Sequence, residues 1–380
     1  MRNDTRALFN AFVSQIALLN SVADATTKFS VDPVVEQRLE ERIRNSSEFL
    51  MEINMIPVTQ QEGETLGVGA GRPLAGRTDT SGGTRRNPTA IGGNNRKHRY
   101  FCRQTNFDWS RRYAVIDAWR HRPEFETLIR DDIAHQTALD RISIGFHGVE
   151  AADDTDPVAN PNLEDVNEGW LHKIRNDAPE QVFDDGALTV LSNGTNNPAV
   201  KAIYIKAGAE LYDPSLDNAT TAEADYSSLD ALVLDAKRLI HERHRGDNDL
   251  VVIVGHDLVD DKYFNIAQET GATATEVEAT DRILRSTKMI GGLPAIRVSG
   301  FPGNALLITK LSNLSIYWQE GTRRRYLKDE PEFDRIANYE SVNEAYVVEE
   351  YEIASLVENI VMGAAPARTA PASPPPPPPG

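Results

Sequence analysis

Residues 123–148, PEFETLIRDDIAHQTALDRISIGFHG, carry the periodicity of one long amphipathic helix. Pro123 suits the first helical position, where its missing N–H would be unpaired anyway. Glu124 and Glu126 place negative charge at the positive end of the helix dipole. Phe125, Leu128, Ile129, Ile133, Ile142 and Phe146 recur at helical spacing. Asp131, Asp132, Gln136, Asp140 and Arg141 fall mostly between them, and Gly148 is a natural stop. Such a helix spans about 36 Å at roughly 1.5 Å per residue, long for a globular protein. It can brace a domain core or hold a long interface, and periodicity does not choose between them.

The 380-residue chain has the length of about two domains. With 40% hydrophobic residues it can bury a real core. Its 57 acidic residues outweigh 40 basic ones, for a net charge of −17, which excludes a general nucleic-acid binder. Cys102 is the only cysteine, so neither an intrachain disulfide nor a cysteine metal cluster is available, as suits a reducing compartment. No run of about 18 apolar residues offers a membrane-spanning helix. Near the N-terminus, Ala23-Asp24-Ala25 has the look of a signal cleavage site, but Asn10, Ser14 and Gln15 interrupt the apolar run before it. Leu8, Phe9, Phe12, Val13, Ile16 and Leu19 follow helical spacing instead, so residues 1–20 read as an amphipathic helix.

A polar gap, residues 21–28, separates this helix from a second. Asp32 is its N-cap and Pro33 its first residue. Val35, Leu39, Ile43, Phe49, Leu50 and Ile53 give it one apolar face, and Pro57 ends it. Two amphipathic helices with no strand between them read as an arm whose apolar faces need something else to cover them. Residues 62–95 are crowded with glycine and poor in large apolar side chains, so they build no core of their own. An extended hairpin reaching outward is one solution. From residue 85 to 122 the charge turns positive: Arg85, Arg86, Arg96, Lys97, Arg99, Arg103, Arg111, Arg112, Arg120 and Arg122 face only Asp108 and Asp117. Interleaved aromatics (Tyr100, Phe101, Phe107, Trp109, Tyr113 and Trp119) fit a nucleic-acid patch. A basic interface meeting the acidic surface of a neighbouring copy is the better reading, because the rest of the chain is so acidic.

Beyond the long helix, residues 150–161 are acidic and turn-rich. A helix is expected over residues 163–176, closed by Pro179, and short strands over 187–191 and 202–205. Ser227 caps a helix carrying Leu229, Leu232, Val233, Ala236, Leu239 and Ile240 and ending near Gly246. Residues 250–254, LVVIV, form a buried strand running into Gly255 and a helix near 258–268. Further strands are expected at 295–298, 305–309, 314–318, 345–351 and 353–361. Helices and strands mix without a steady β-α-β rhythm, so the fold class is α+β. From Gly363 on, proline and alanine make a solvated tail.

Catalytic motifs are missing. No Gly-x-Gly-x-x-Gly follows the strand at Gly255, and no Gly-Lys-Ser/Thr phosphate loop or Gly-x-Ser-x-Gly elbow occurs. Gly67-x-Gly69-x-Gly71 lies in the glycine-rich loop rather than between strand and helix. His241 and His244 lack a third ligand and sit where positive residues commonly end helices. His256-Asp257 reads as a loop and helix cap.

The order of arm, glycine-rich loop, long helix, mixed domain and late strands resembles the HK97-like phage capsid fold. The sequence is more specific still. MRNDTRALFNAF from Met1, FSVDP from Phe29, TDTSGGTRRNP from Thr78, DLVVIVG from Asp249, DKYF from Asp261, ALLITKLSNLSIYW from Ala305 and NYESVNEAYVVEEYE from Asn338 resemble the major capsid proteins of P2-like tailed phages. The likeness runs from Met1 to about Val361. It implies an N-terminal segment removed on maturation (1–29), an N-arm (30–60), an E-loop with flanking strands (61–113) and a P-domain with its spine helix (114–185). It further implies an A-domain (186–335), closing P-domain strands (336–362) and a disordered proline-rich tail (363–380).

The resemblance implies a structural protein and no enzyme. Many copies, as hexamers and pentamers, would form an icosahedral procapsid and then a mature head around double-stranded DNA, without reading its sequence. Scaffolding protein, prohead protease and portal are the implied partners, with no cofactor, metal or membrane. Assembly would occur in the cytoplasm of the bacterial host, and the product is the virion capsid. The protease would cut near Phe29 and Ser30, in the polar linker between the first two helices. Arg85, Arg86, Arg96, Lys97, Arg99, Arg111 and Arg112 would meet acidic neighbours such as Asp153, Asp154 and Asp156 at subunit contacts. Two other readings stand beside this one: an encapsulin-like compartment around protein cargo, and an α/β enzyme using the strand end at Gly255.

Overall fold

The computed structural model describes residues 3–65, 75, 77–83, 85–88, 98–119, 125–188, 201–206, 210–211, 223–258 and 289–365. The chain forms two compact units, Met1–Trp170 with Ser312–Glu350, and Leu171–Leu311 with Tyr351–Gly380. This division differs from the expected one at 186–335. Residues 312–335 join the first unit because their strands hydrogen-bond to the long strand that follows them.

The first unit opens with α1 (Asn3–Leu19), β1 (Phe29–Ser30), α2 (Pro33–Asn45) and α3 (Glu48–Glu52). Asp32 caps α2 by accepting from Val34 N at 2.9 Å. Three expectations need correction here. A strand does lie between the first two helices. The second helix breaks at Ser46, whose backbone and hydroxyl bond Ile43 O. Pro57 ends no helix; it lies in β2 (Asn54–Val58), at an end of the sheet where a missing N–H is tolerated.

Next come β3 (Glu62–Thr65), β4 (His98–Phe101), β5 (Arg103–Asn106), β6 (Trp109–Arg112), α4 (Tyr113–Trp119) and α5 (Phe125–His147). The unit closes with β7 (Leu314–Gln319), β8 (Arg324–Glu330) and β9 (Arg335–Val348). Strand β9 organises the seven-stranded sheet, pairing antiparallel with β5, β6, β7 and β8. Nine of the thirteen residues of RRRYLKDEPEFDR are charged, so the stretch holding β8 carries no apolar alternation to mark a strand. The tight connection from β8 to β9 turns at Asp334, with φ of 51°.

Helix α5 confirms the long periodic stretch, and its buried face includes Ala134, Ala138, Ile142, Ile144 and Phe146. Trp170 is fully buried among Phe49, Phe146 and Tyr346, with ring centroids 6.1, 5.3 and 5.5 Å away. Its Nε1 donates to Ser315 O at 3.0 Å, satisfying the one polar atom of the ring. A Cβ at Gly145 would lie 2.2 Å from that ring, so α5 meets Trp170 only because residue 145 has no side chain. The expected helix over 163–176 starts at Trp170 instead. Ahead of it Leu163 turns at φ of 65°, and Asp165 accepts from Asp156 N and Asn160 Nδ2 at 2.7 and 3.0 Å. Side-chain bonds of this kind compete with helix formation.

The second unit centres on a six-stranded mixed sheet in the order 289–290, 293–296, 251–254, 306–309, 355–357, 182–183. Strand Val251–Val254 runs parallel to Leu293–Ile296 and antiparallel to Leu306–Thr309. Helix α7 (Leu229–Ala236; α6 is Trp170–Asp177) packs Leu232, Val233 and Ala236 on Val252, Val254, Leu306 and Ile308. Its cap is Ser228 rather than Ser227, and it passes into a 3-10 turn at Lys237 well before Gly246. Residues 187–188 lie in a turn, and the rest of the strand expected there lies outside the described residues, as does the helix beyond 258. The tail expected from 363 begins later, because Gly363 N and Ala365 N donate to Ile205 O and Glu223 O at 2.7 and 2.9 Å. Residues 366–380 lie outside the described residues.

Candidate functional site

The two strands that flank the glycine-rich stretch form a ribbon. Strand β3 pairs antiparallel with β4, from Glu62 opposite Phe101 to Thr65 opposite His98. Tyr100 stands edge-on to Tyr317 of the large sheet at 5.0 Å, and Cys102 is buried with Tyr317, Ala345 and Val347. Cys102 N donates to Gln61 O at 2.7 Å. An apolar footing thus anchors a segment that has no core of its own.

The basic residues scatter along this ribbon and beyond it. Arg85, Arg86 and Arg112 are exposed, and Arg99 lies 3.9 Å from Glu64. Arg103 sits over the Phe101 ring at 4.6 Å. Arg111 pairs within the chain, with Asp132 of α5, which ties β6 to that helix. Arg96 and Lys97 lie outside the described residues. Of the acidic candidates, Asp156 accepts from Val158 N at 2.9 Å, so it shapes its own loop.

Phe29 and Ser30 are not in an open polar linker. Strand β1 pairs with β8, Phe29 opposite Arg325 and Ser30 opposite Arg324. Phe29 is buried with Ile16, Ala17, Ala25, Val31 and Leu327, whereas Ser30 is exposed. Farther out, Phe9 of α1 packs on Tyr113, Ile116 and Ile336, and Arg6 pairs with Asp329 at 3.1 Å. Part of the apolar face of α1, at Phe9, Ile16 and Ala17, is therefore covered by its own unit, while Leu19 stays exposed.

The most unusual feature is a buried cluster of charges that joins α2, α5 and the sheet. Arg141 was expected on the polar side of α5 but is fully buried. Its two terminal nitrogens bind Glu40 at 2.7 and 3.0 Å, and its Nε binds Glu344 Oε1 at 3.0 Å. Arg323, just ahead of β8, is also buried and binds both Glu40 and Glu340. Glu36 accepts from Gly321 N at 2.9 Å and lies 3.9 Å from Arg323.

Burial pushes Glu40 and Glu340 up, but the neighbouring guanidiniums overcome it and hold both carboxyls below the usual range. At Glu344 and Glu36 burial wins and both are raised. A signal was present in the sequence. Glu340, Val342, Glu344 and Tyr346 alternate on one strand face, and Glu36 and Glu40 share one side of α2 beside Ile43.

Helix α2 also docks on α5 through Arg42–Asp131 at 2.9 Å and through Ser46 O, which lies 3.1 Å from His135 Nδ1. Among the described residues the enzyme reading finds no site at Gly255. Its strand end is closed by backbone, because a Cβ there would lie 2.1 Å from Gly303 O. His256 and Asp257 pair at 2.9 Å in the open. His244 is turned to Asp247 at 3.2 Å, and among the described residues no three His, Cys, Asp or Glu side chains converge as metal ligands.

A family model described as phage major capsid protein, P2 family, matches residues 8–360. The chain is 41% identical over 366 residues to the capsid proteins of Escherichia phage P2, covering 96% of either chain. It is 37% identical over 364 residues to the major capsid protein of Serratia phage KSP20, covering 95% of this chain and 97% of that one. Among solved structures, a chain of the satellite phage P4 procapsid including size determination (Sid) protein is 40% identical, with a TM-score of 0.74. That match covers 96% of this chain and 99% of the other.

Proposed function

The chain belongs to the P2 family of phage major capsid proteins, and from that premise we propose how its parts serve the shell. Its function is structural: many copies self-assemble into the icosahedral capsid of the virion, in an HK97-like α+β fold, and it is not an enzyme. The observation that carries the finer reading is that the arm, the anchored two-stranded ribbon and the long helix α5 all lie inside one uninterrupted family match.

In this reading hexamers and pentamers of the chain build first a procapsid and then a head around double-stranded DNA, in the cytoplasm of the bacterial host. Residues 30–60 serve as N-arm and 61–113 as E-loop with its flanking strands. Residues 114–170 with 312–350 serve as the P-domain and 171–311 with 351–362 as the A-domain, the expected boundaries at 186 and 335 giving way to those of the two compact units. Helix α5 is the spine that stiffens the wall. Scaffolding protein, prohead protease and portal take part in assembly. Exposed Arg85, Arg86, Arg99 and Arg112, with Arg96 and Lys97, face acidic surface on neighbouring copies, while Arg111 serves its own subunit. The net charge of −17 supports a wall that holds DNA without gripping it.

Cleavage at Phe29–Ser30 is part of the same reading. Proteases take substrates as extended strands, which β1 is, but β1 is hydrogen-bonded to β8, so it must peel away before it can be cut. Co-expression with scaffold and protease, followed by electron microscopy and intact-mass measurement, tests the scheme. Closed shells of a chain starting near Ser30 are expected. Shells of uncut chain would refute the processing step, and small discrete particles would refute assembly with these partners.

A further inference from the structure

Charge does not balance inside the first unit. Four carboxyl groups (Glu36 and Glu40 from α2, Glu340 and Glu344 from β9) surround the two guanidiniums of Arg141 and Arg323. Arg325 adds a third cation at 3.9 Å from Glu340 Oε2, which still leaves one negative charge over. The other titratable neighbours bring no cation. Asp108 accepts from Glu340 N at 2.9 Å, and Asp140 and Tyr346 adjoin Arg141 and Glu344 along their elements. An uncompensated carboxylate in a protein interior is costly enough that the group takes a proton instead.

The geometry narrows the choice of which carboxyl is neutral. Both oxygens of Glu40 are engaged by guanidinium. Glu340 faces Arg323 and Arg325. Glu36 accepts a backbone N–H through Oε2 but keeps Oε1 enclosed, 3.9 Å from Arg323, which makes it the second candidate. Glu344 turns only Oε1 toward Arg141; Oε2 makes no hydrogen bond to a cation and is enclosed beside Tyr346.

We propose that Glu344 holds one proton in the native protein, and that this proton makes the junction of α2, α5 and β9 a pH-dependent joint governing how firmly the arm helix is held. Burial, reinforced by Glu40, favours the neutral acid despite Arg141. The neutral form is the one the fold prefers, so the joint is tight at lower pH. As pH rises and Glu344 gives its proton to solvent, the new charge repels Glu40 and α2 loosens.

Hydrogen exchange of the α2 amides in the full chain, corrected for its intrinsic pH dependence, reads this directly between about pH 5 and pH 9, the range reached by buried glutamates. Exchange should stay flat and then rise by about tenfold per pH unit once the proton is being lost. The Glu344→Gln variant mimics the neutral acid and should fold and stay flat throughout. A flat profile in the unaltered protein, or a rise that persists in Glu344→Gln, would overturn the proposal. Flattening by Glu36→Gln instead would place the proton on the other carboxyl. Failure of Glu344→Gln to fold would also count against it, since glutamine reproduces the size and hydrogen bonding of the neutral acid. Infrared spectroscopy of the unaltered protein, at a pH below the onset of the exchange rise, should then still show the carbonyl band of a buried carboxylic acid; its absence refutes the idea outright.

Discussion

Arg141 on helix α5 and Glu344 on strand β9, 203 positions apart in the chain, meet with neither side chain exposed to solvent. Glu40, on the arm helix, closes the same guanidinium from the other side. The arm, the spine and the sheet are thus joined through one buried cation.

Removing that cation should be severe. Arg141→Met leaves Glu40 and Glu344 buried without their partner, and loss of one member of a buried ion pair costs roughly 3–5 kcal/mol. Chemical denaturation of the full chain should show a midpoint lowered accordingly; an unchanged midpoint would mean the cluster relaxes into water.

Acid should act on the same cluster through different groups. Glu40 and Glu340 are held below the ordinary carboxylate value. Their contribution is therefore complete above that value, about 4.3 for glutamate, and lost as pH falls below it. Thermal unfolding measured across this window should show stability dropping on acidification, with a smaller drop in Glu40→Gln, which starts from a lower plateau.

The spine can be tested at one atom. Gly145→Ala drives a methyl to 2.2 Å from Trp170, and overpacking of this sort costs about 1–3 kcal/mol. Ile142→Asp, at a position only 2% exposed, should cost more than about 4 kcal/mol and abolish shells. Ile133→Asp, at a half-buried position, should be milder. Soluble yield and shell counts by electron microscopy check the ranking, and normal shells from Ile142→Asp would undo the assignment of the spine.

Processing should be limited by opening of β1. Phe29→Ala removes the side chain that seats β1 beside Leu327, so trimming by the protease should speed up severalfold in a time course followed by mass spectrometry. Slower trimming would instead assign Phe29 to recognition by the protease.

The tail has a definite boundary. Deleting residues 366–380 should leave assembly intact, whereas deletion from Gly363 also removes the hydrogen bonds of Gly363 and Ala365 and should lower the melting temperature. Equal behaviour of the two truncations would show those bonds to be dispensable.

By itself the sequence determined the elements that repeat a local rule. Helix α5, the capped start of α2 at Asp32–Pro33, the apolar strand at 251–254 and the coreless stretch after residue 62 all follow from periodicity, capping and composition, which act between near neighbours. The quoted motifs carried the family as well. Tertiary structure alone decided the rest. Strand β8 is too charged to read as a strand, and it and the first half of β9 exist because each supplies the other's hydrogen bonds. Arg141 looked like a surface residue because burial of a charge depends on partners at positions 40 and 344, which no local pattern brings together. The same holds for Phe29, whose setting changed from polar linker to sheet edge once Leu327 and Arg325 were beside it. Interactions between residues hundreds of positions apart set the energies of buried charge and strand pairing, so only the folded chain reveals them.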